Sequence, residues 1–428
     1  MFHLKFSKTM KDIQWSFISL ATASFAHLLL RIVLGRELGP SGLGLYTLVF
    51  TIYMFGMQFA AFGIGAALTK YIAQYHDDQT KIQKFVTSGV VGSLFSGSVI
   101  GILLYLFSGT ISIQFFHVPE MTGFLRITAF CFPFIALQKA VIGALNGLRK
   151  MKLFAVINIV QNVAVLMITV ILVLWLEMGV SGAILGFILP TISIGLISLV
   201  VVKDYFTTSL ELMNTILKEI SWFGFYVVLS NSIGMVNTQI DSLLIGRFMS
   251  EIEVGYYAVA IMFMQGIGLL PQAIQRVTTP TIATYYGKKE FEKIRSLIKI
   301  TVIKIFVITL CMSAFLAISG KFLIAIIFTE EFLPSYTPML ILLVGYTIYS
   351  AFVSIGACFA SVGKVQIAFR INLLCAILNI LLNIILIPKF GLVGAASATS
   401  ISLIFTMAIN LRFIYKYFKH PCAINLSI

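Results

Sequence analysis

Long apolar runs, each ended by a turn or a charged cluster, organise this chain. A membrane-crossing helix needs roughly 20 mostly apolar residues. The pattern predicts twelve such segments, near residues 12–34, 44–69, 85–107, 122–145, 153–176, 180–202, 220–245, 254–279, 298–319, 337–360, 365–387 and 392–415. None has the dyad alternation of a barrel strand, so each must satisfy its backbone hydrogen bonds within a helix.

Composition agrees: 59% of the residues are hydrophobic, 11% are charged, and the mean hydropathy is +1.01. These values lie far outside the range of soluble domains and predict an integral membrane protein. Lys5, Lys8 and Lys11 followed by an apolar run imitate a signal peptide, with "ATA" at Ala21–Ala23 as a mock cleavage site. The run continues to Leu34, so it reads as a retained helix. The five cysteines lack paired spacing: four fall in apolar segments and Cys422 in the tail, which points to neither disulfides nor a metal site.

A formal charge of +14 raises the question of nucleic acid, and the placement of the charge answers it. With the N-terminus in the cytoplasm, 21 of the 30 lysines and arginines fall on cytoplasmic stretches or the helix ends beside them. The outer loops hold only Arg36, Arg247, Lys321 and Lys389. This positive-inside bias predicts a multi-pass protein of the cell (plasma or inner) membrane with both termini cytoplasmic. The basic charge is a topology signal, with attraction to anionic membrane lipids as a secondary effect, and nucleic acid is not an expected partner.

The chain also repeats. Laying "LGRELGPSGLGLY" (Leu34–Tyr46) on "IGRFMSEIEVGYY" (Ile245–Tyr257) without a gap matches Gly35, Arg36, Gly44 and Tyr46 with Gly246, Arg247, Gly255 and Tyr257. With small changes of offset "YIAQY" (Tyr71–Tyr75) meets "TIATY" (Thr281–Tyr285), and "GVSGA" (Gly179–Ala183) meets "GLVGA" (Gly391–Ala395). Three matches in order argue for duplication. Six helices per half is an even number, so the halves share one orientation and are related by an axis along the membrane normal. The expected fold is an all-α membrane protein of twelve transmembrane helices: a lobe over 1–203, a cytoplasmic linker over 204–218 and a lobe over 219–428, working by alternating access.

The stretches "LGRELGPSGLGLYTLVFTIYMFGMQFAAFGIGAALTKYIAQY" (34–75), "DSLLIGRFMSEIEVGYYAVA" (241–260) and "ASVGKVQIAFRINLLCAILNILLNIILIPKFGLVGAASAT" (360–399) are similar to the polysaccharide-export proteins that flip lipid-linked oligosaccharides. That family is related to the multidrug and toxic-compound extrusion transporters. The resemblance implies a V-shaped pair of six-helix lobes, with the first, second, seventh and eighth helices lining a central cleft. It also implies a polyprenyl-(pyro)phosphate-linked glycan as the cargo, carried for surface polysaccharide biosynthesis.

Charges inside the spans give the candidate chemistry, because an ionisable side chain there faces a cavity or a partner. Arg276 is on the eighth helix, where its guanidinium can bond two phosphate oxygens of a lipid carrier or extend to the interface. Lys139, Lys304 and Arg126 lie near helix ends and read as interface anchors. On the first helix Ser24, His27 and Arg31 share one face, making His27 and Arg31 further headgroup candidates. On the seventh, Ser230, Gly234, Asn237 and Asp241 form a second polar or small face, suited to cargo or to a helix contact. In the repeat, Leu30 corresponds to Asp241, so Arg31 and Asp241 lie at similar depth and are expected to pair as an outer gate.

Two other classes compete. A multidrug cation antiporter needs acids inside its spans, and Asp241 alone stands against five basic residues there. A membrane enzyme acting on polyprenyl-linked glycans needs acids or histidines on a substantial outer loop, and the outer loops are short. No G-x-x-x-x-G-K-[ST] stretch is present to hold a nucleotide. No cofactor or metal is expected, and a cation gradient is a candidate energy source.

Overall fold

The computed structural model describes residues 8–207 and 213–419. Lys5, the middle of the expected linker and Cys422 lie outside the described residues. Those described are helical, in the order α1 (Lys8–Ala61), α2 (Ile64–Gln74), α3 (Gln79–Gly109), α4 (Met121–Ala129), α5 (Phe132–Gly147), α6 (Met151–Val170), α7 (Gly179–Val201), α8 (Met213–Phe248), α9 (Glu251–Gly287), α10 (Phe291–Ile327), α11 (Tyr336–Val353), α12 (Cys358–Ser361) and α13 (Val365–Lys419). Single π or 3-10 turns extend several of them. Among the described residues eight stretches are long and apolar enough to cross a membrane, or nine with the α4–α5 pair, bent by 45° just before Pro133.

Two of these stretches are each too long for one crossing. A straight helix rises 1.5 Å per residue, so the length of α1 would exceed a roughly 30 Å hydrocarbon core more than twofold. It folds back instead. His27 and Phe50, both on α1, stand with ring centroids 6.3 Å apart. The reversal falls at Gly39 (φ 63°, ψ −173°), a backbone state open essentially only to glycine. α13 reverses in the same way at Gly391 (φ 57°, ψ −134°), with Pro388 just before it.

The chain forms two compact units, Met1–Ser232 and Ile233–Ile428, so the division falls inside α8. Residues 213–218, placed in a linker by the sequence pattern, are the first turns of that helix. In the first unit Ile64, Leu68, Tyr71, Phe85, Leu137 and Val141 form the core, and Ile216 and Ile220 of α8 complete it. Tyr71 stacks on Phe85 at 5.1 Å. α2 and α5 approach to backbone contact, where a Cβ on Gly143 would collide with the Gly65 carbonyl, and Thr69 Oγ1 donates to the Gly143 carbonyl at 2.9 Å. In the second unit Ile282, Phe352, Phe359, Cys375 and Tyr417 pack together, and the Tyr286 and Tyr417 hydroxyls hydrogen-bond at 2.9 Å. Ser250 caps α9, accepting from the Ile252 amide and donating to Glu253, a capping-box pattern legible in the sequence.

Outward faces are apolar. On α3, Phe95, Val99, Ile102 and Leu106 are all exposed at helical spacing, the pattern of a helix solvated by lipid rather than water.

The α2–α5 contact sets a stability prediction. Gly143→Val should destabilise the protein by about 1–3 kcal/mol through overpacking. Gly123→Ala, where a new Cβ meets nothing within 4 Å, should be neutral or slightly stabilising. Thermal unfolding of the purified proteins in detergent checks both.

Candidate functional site

Among the charges inside the described helices, Asp241 in the second unit and Arg31 in the first stand out by their surroundings. In the second, Asp241 of α8 is buried, and both its carboxylate oxygens accept hydrogen bonds. Asn383 Nδ2 donates to Oδ1 at 2.7 Å, while the Tyr257 hydroxyl (2.8 Å) and Thr399 Oγ1 (2.6 Å) donate to Oδ2. Asn383 Nδ2 also reaches the Asn379 side-chain oxygen at 3.2 Å. Asn383 and Thr399 lie on opposite sides of the Gly391 reversal, so that reversal brings them onto one carboxylate.

These donors are neutral. They satisfy the hydrogen-bonding capacity of the acid without balancing its charge, which in a membrane interior requires a proton on the carboxylate or a cation beside it. Oxygens for a small cation are at hand: the carboxylate, Thr399 Oγ1, and the side-chain oxygens of Asn379 and Asn383, the last buried with no hydrogen-bond partner among the described residues. An all-oxygen set suits a hard cation.

The duplication supplies an internal control. In the register that lays Leu34 on Ile245, Tyr46 falls on Tyr257 and Leu30 on Asp241; in the register that lays Gly179 on Gly391, Phe187 falls on Thr399. The first unit builds this corner from apolar parts. Tyr46 packs edge-on against Phe187 with centroids 6.2 Å apart, and Leu30 and Phe187 are fully buried. At these matched positions of the sequence repeat, the acid and its threonine donor have apolar counterparts, Leu30 and Phe187.

In the first unit Arg31 is half-buried on α1, and its Nη1 is enclosed with no hydrogen-bond partner among the described residues. His27 and Ser24, one and two turns back on the same face, are exposed, with His27 tilted against Phe50. A guanidinium in this state has donors to offer an anion.

The remaining candidates are less constrained. Arg276 and Lys304 are exposed, and Lys139 is half-buried. Arg126 sits over the Tyr105 ring at 5.6 Å and donates from Nε to Ser108, a local anchor. On α8 Ser230 is exposed, and Asn237 Nδ2 makes a long 3.5 Å contact with the Asn372 carbonyl. The apolar pattern by itself does not set Asn379, Asn383, Tyr257 and Thr399 apart from other polar residues of the spans. Their signal was present: two asparagines four apart on one helix face, and a tyrosine matched to Tyr46 across the repeat.

Apolar helices folded back at glycines, with ionisable groups held inside them, define a multi-pass membrane transporter. The sequence profile described as "Polysaccharide biosynthesis protein" matches residues 9–286, more than half of the chain, and the chain belongs to that family. A second profile, MatE, matches residues 225–385. Among relatives, a Shigella flexneri protein named as an O-antigen transporter is 24% identical over 392 residues, covering 89% of this chain and 91% of its own. A Haloferax volcanii protein named as the flippase AglR is also 24% identical, over 92% of this chain and 81% of its own. Among solved structures, the lipid II flippase MurJ aligns with a TM-score of 0.78 at 19% identity, over 95% of this chain and 89% of that one. An inward-facing multidrug-resistance transporter of the MATE family aligns at 0.77 and 16% identity, over 95% and 99%. These likenesses establish the fold.

The Asp241 cluster predicts an asymmetry between deleting one partner and deleting several. Asp241→Leu alone removes the shared acceptor of three buried donors, which keep only their contacts with Asn379 and with each other, and should destabilise the second unit by about 1–3 kcal/mol. Adding Asn383→Leu and Thr399→Val removes two of those donors and should recover a large part of the loss. Unfolding midpoints in detergent read both; equal loss in single and triple variants would mean that the network does not hold the carboxylate.

Proposed function

We propose that this chain is a flippase that moves a polyprenyl-(pyro)phosphate-linked oligosaccharide from the cytoplasmic to the outer leaflet for surface polysaccharide biosynthesis. It is a transporter and not an enzyme. The observation that carries the reading is the enclosed, unpartnered Nη1 of Arg31 inside an apolar span of a chain of this family. A phosphate or pyrophosphate supplies the missing acceptor and the opposite charge, in the bidentate geometry a guanidinium favours. The names of the relatives, an O-antigen transporter and a flippase, agree with such a cargo. The antiporter reading of the same fold finds one buried acid among the described residues, Asp241, against five basic residues in the spans.

Twelve crossings follow from splitting α1 with α2, and α13, at Gly39 and Gly391, counting the α4–α5 pair once and including α8. The duplicated halves, 1–203 and 219–428, then act as alternating-access lobes. Asp241, Asn379, Asn383 and Thr399 hold the cation, proton or sodium, whose gradient drives the cycle. Arg276, toward the cytoplasmic end of its helix, and His27 are further headgroup contacts, and Ser24, Ser230 and Asn237 contact the glycan. The Arg31–Asp241 gate requires Asp241 to release its three donors first, which makes protonation state or cation occupancy the control on gating.

Cells without the protein should accumulate the lipid-linked glycan on the inner leaflet. Arg31→Ala should reproduce most of that, lowering export by about tenfold to a hundredfold with expression intact, as expected for losing a charge-assisted hydrogen bond. Arg31→Lys should retain part of it. Extraction and leaflet-selective digestion of the lipid-linked pool measures this; full export by Arg31→Ala would remove the arginine from the headgroup site.

Orientation has its own test. A cysteine introduced at the exposed Ser41 should react with an impermeant thiol reagent in intact cells, whereas Cys422 should react only after permeabilisation. The reverse pattern inverts the topology.

A further inference from the structure

We propose a binding site for an anionic phospholipid where the start of α1 meets the turn between α5 and α6. The turn is rigid. Arg149 N donates to the Asn146 carbonyl at 3.0 Å and Lys150 N to the Leu145 carbonyl at 2.8 Å, with Arg149 itself at φ 55°. This presents Arg149, Lys150 and Lys152 together on one side of a pocket of about 360 Å³, with Asp12, Trp15 and Leu153 also lining it.

Every charge in the pocket has a defined place. Asp12 holds the Arg149 guanidinium at 3.3 Å, Lys150 Nζ lies 4.8 Å from the Tyr205 ring centroid, and Lys152 Nζ lies 6.0 Å from that of Trp15. Three cations against one carboxylate leave a surplus positive charge, suited to a phosphodiester. Trp15 is of the residue type that anchors in the headgroup region of a bilayer.

The walls continue into an apolar track. Leu153, Val156, Val160, Val163 and Met167 are exposed at alternating spacings of three and four along α6, a single lipid-facing stripe that starts at the pocket. Phe17 of α1 is exposed one turn or less beyond Trp15. A headgroup in the pocket thus leaves its acyl chains on a continuous hydrocarbon surface. Solvated lysines alone do not make such a site; the pocket, the oriented guanidinium and the track do. The occupant is a phospholipid of the leaflet beside the N-terminal end of α1. That this leaflet is the inner, anionic one rests on the orientation proposed above.

Binding is read on the purified full-length protein, so neither orientation nor transport enters the result. Delipidated protein is given phosphatidylglycerol, phosphatidylcholine or polyprenyl phosphate, and retained lipid is counted by native mass spectrometry. Phosphatidylglycerol should be retained in preference to phosphatidylcholine. The Lys150→Ala/Lys152→Ala variant should bind it about tenfold more weakly, and Lys150→Arg/Lys152→Arg should bind as well as the parent. Equal retention of phosphatidylglycerol and phosphatidylcholine by the parent overturns the proposal without recourse to any variant. Unchanged binding by the alanine variant overturns it too. Retention of polyprenyl phosphate with phosphatidylglycerol inert overturns the phospholipid assignment and makes the pocket a docking point for the carrier.

Discussion

In hydrocarbon an unpaired backbone amide has no water to turn to, and the architecture follows from that constraint. Every place where the helical ladder is interrupted has to supply a substitute partner. At the break between α1 and α2, where Phe62 and Gly63 take positive φ values, the Ala60 carbonyl accepts from the Ser96 hydroxyl at 2.6 Å and Phe62 N returns to the Phe59 carbonyl at 3.1 Å. Helix ends formed by α3 and α6 close through π turns, with Phe116 N and Leu176 N each returning to a carbonyl five residues back at 3.1 Å. At these three points a serine hydroxyl or a wider helical turn supplies the substitute.

The same constraint explains what could be seen in the sequence. Apolar runs of membrane length are the strongest signal a chain can carry, so the helices over residues 85–107, 153–176 and 254–279 appear where the pattern placed them. The break at Phe62–Gly63 was not visible, because the apolar run from Thr47 to Ile72 continues across it. Its cause is tertiary: a Cβ on Gly63 would press into Gly224 of α8, a residue far away in the chain. The division within α8 was hidden for a similar reason. Ile216 and Ile220 look like any membrane residues until their packing partners are known.

The polar sites were partly legible. Asp241 announced itself as an acid in an apolar run, and Arg31 as a base, since a single charge in such a setting is conspicuous. What surrounded the acid was not, because asparagine, threonine and tyrosine are ordinary helix-contact residues in membranes. Only the reversal at Gly391 makes Asn383 and Thr399 neighbours of one carboxylate.

The duplication makes the chemical difference between the halves informative. Two copies of one design would by default carry the same groups, yet at matched positions one half has Leu30, Tyr46 and Phe187 and the other Asp241, Tyr257 and Thr399. The tyrosine is kept in both, as a packing element against Phe187 in one and as a hydrogen-bond donor in the other. A ligand shifts a conformational equilibrium only by its differential affinity for the two states. Under the proposed function the buried acid held by neutral donors is such a lever for a cation, and the arginine, whose enclosed Nη1 has no partner among the described residues, is one for an anion. Under the proposed function these two levers sit in different halves of the chain, so cargo and driving ion each bias the cycle through a group of their own and neither has to displace the other from its site.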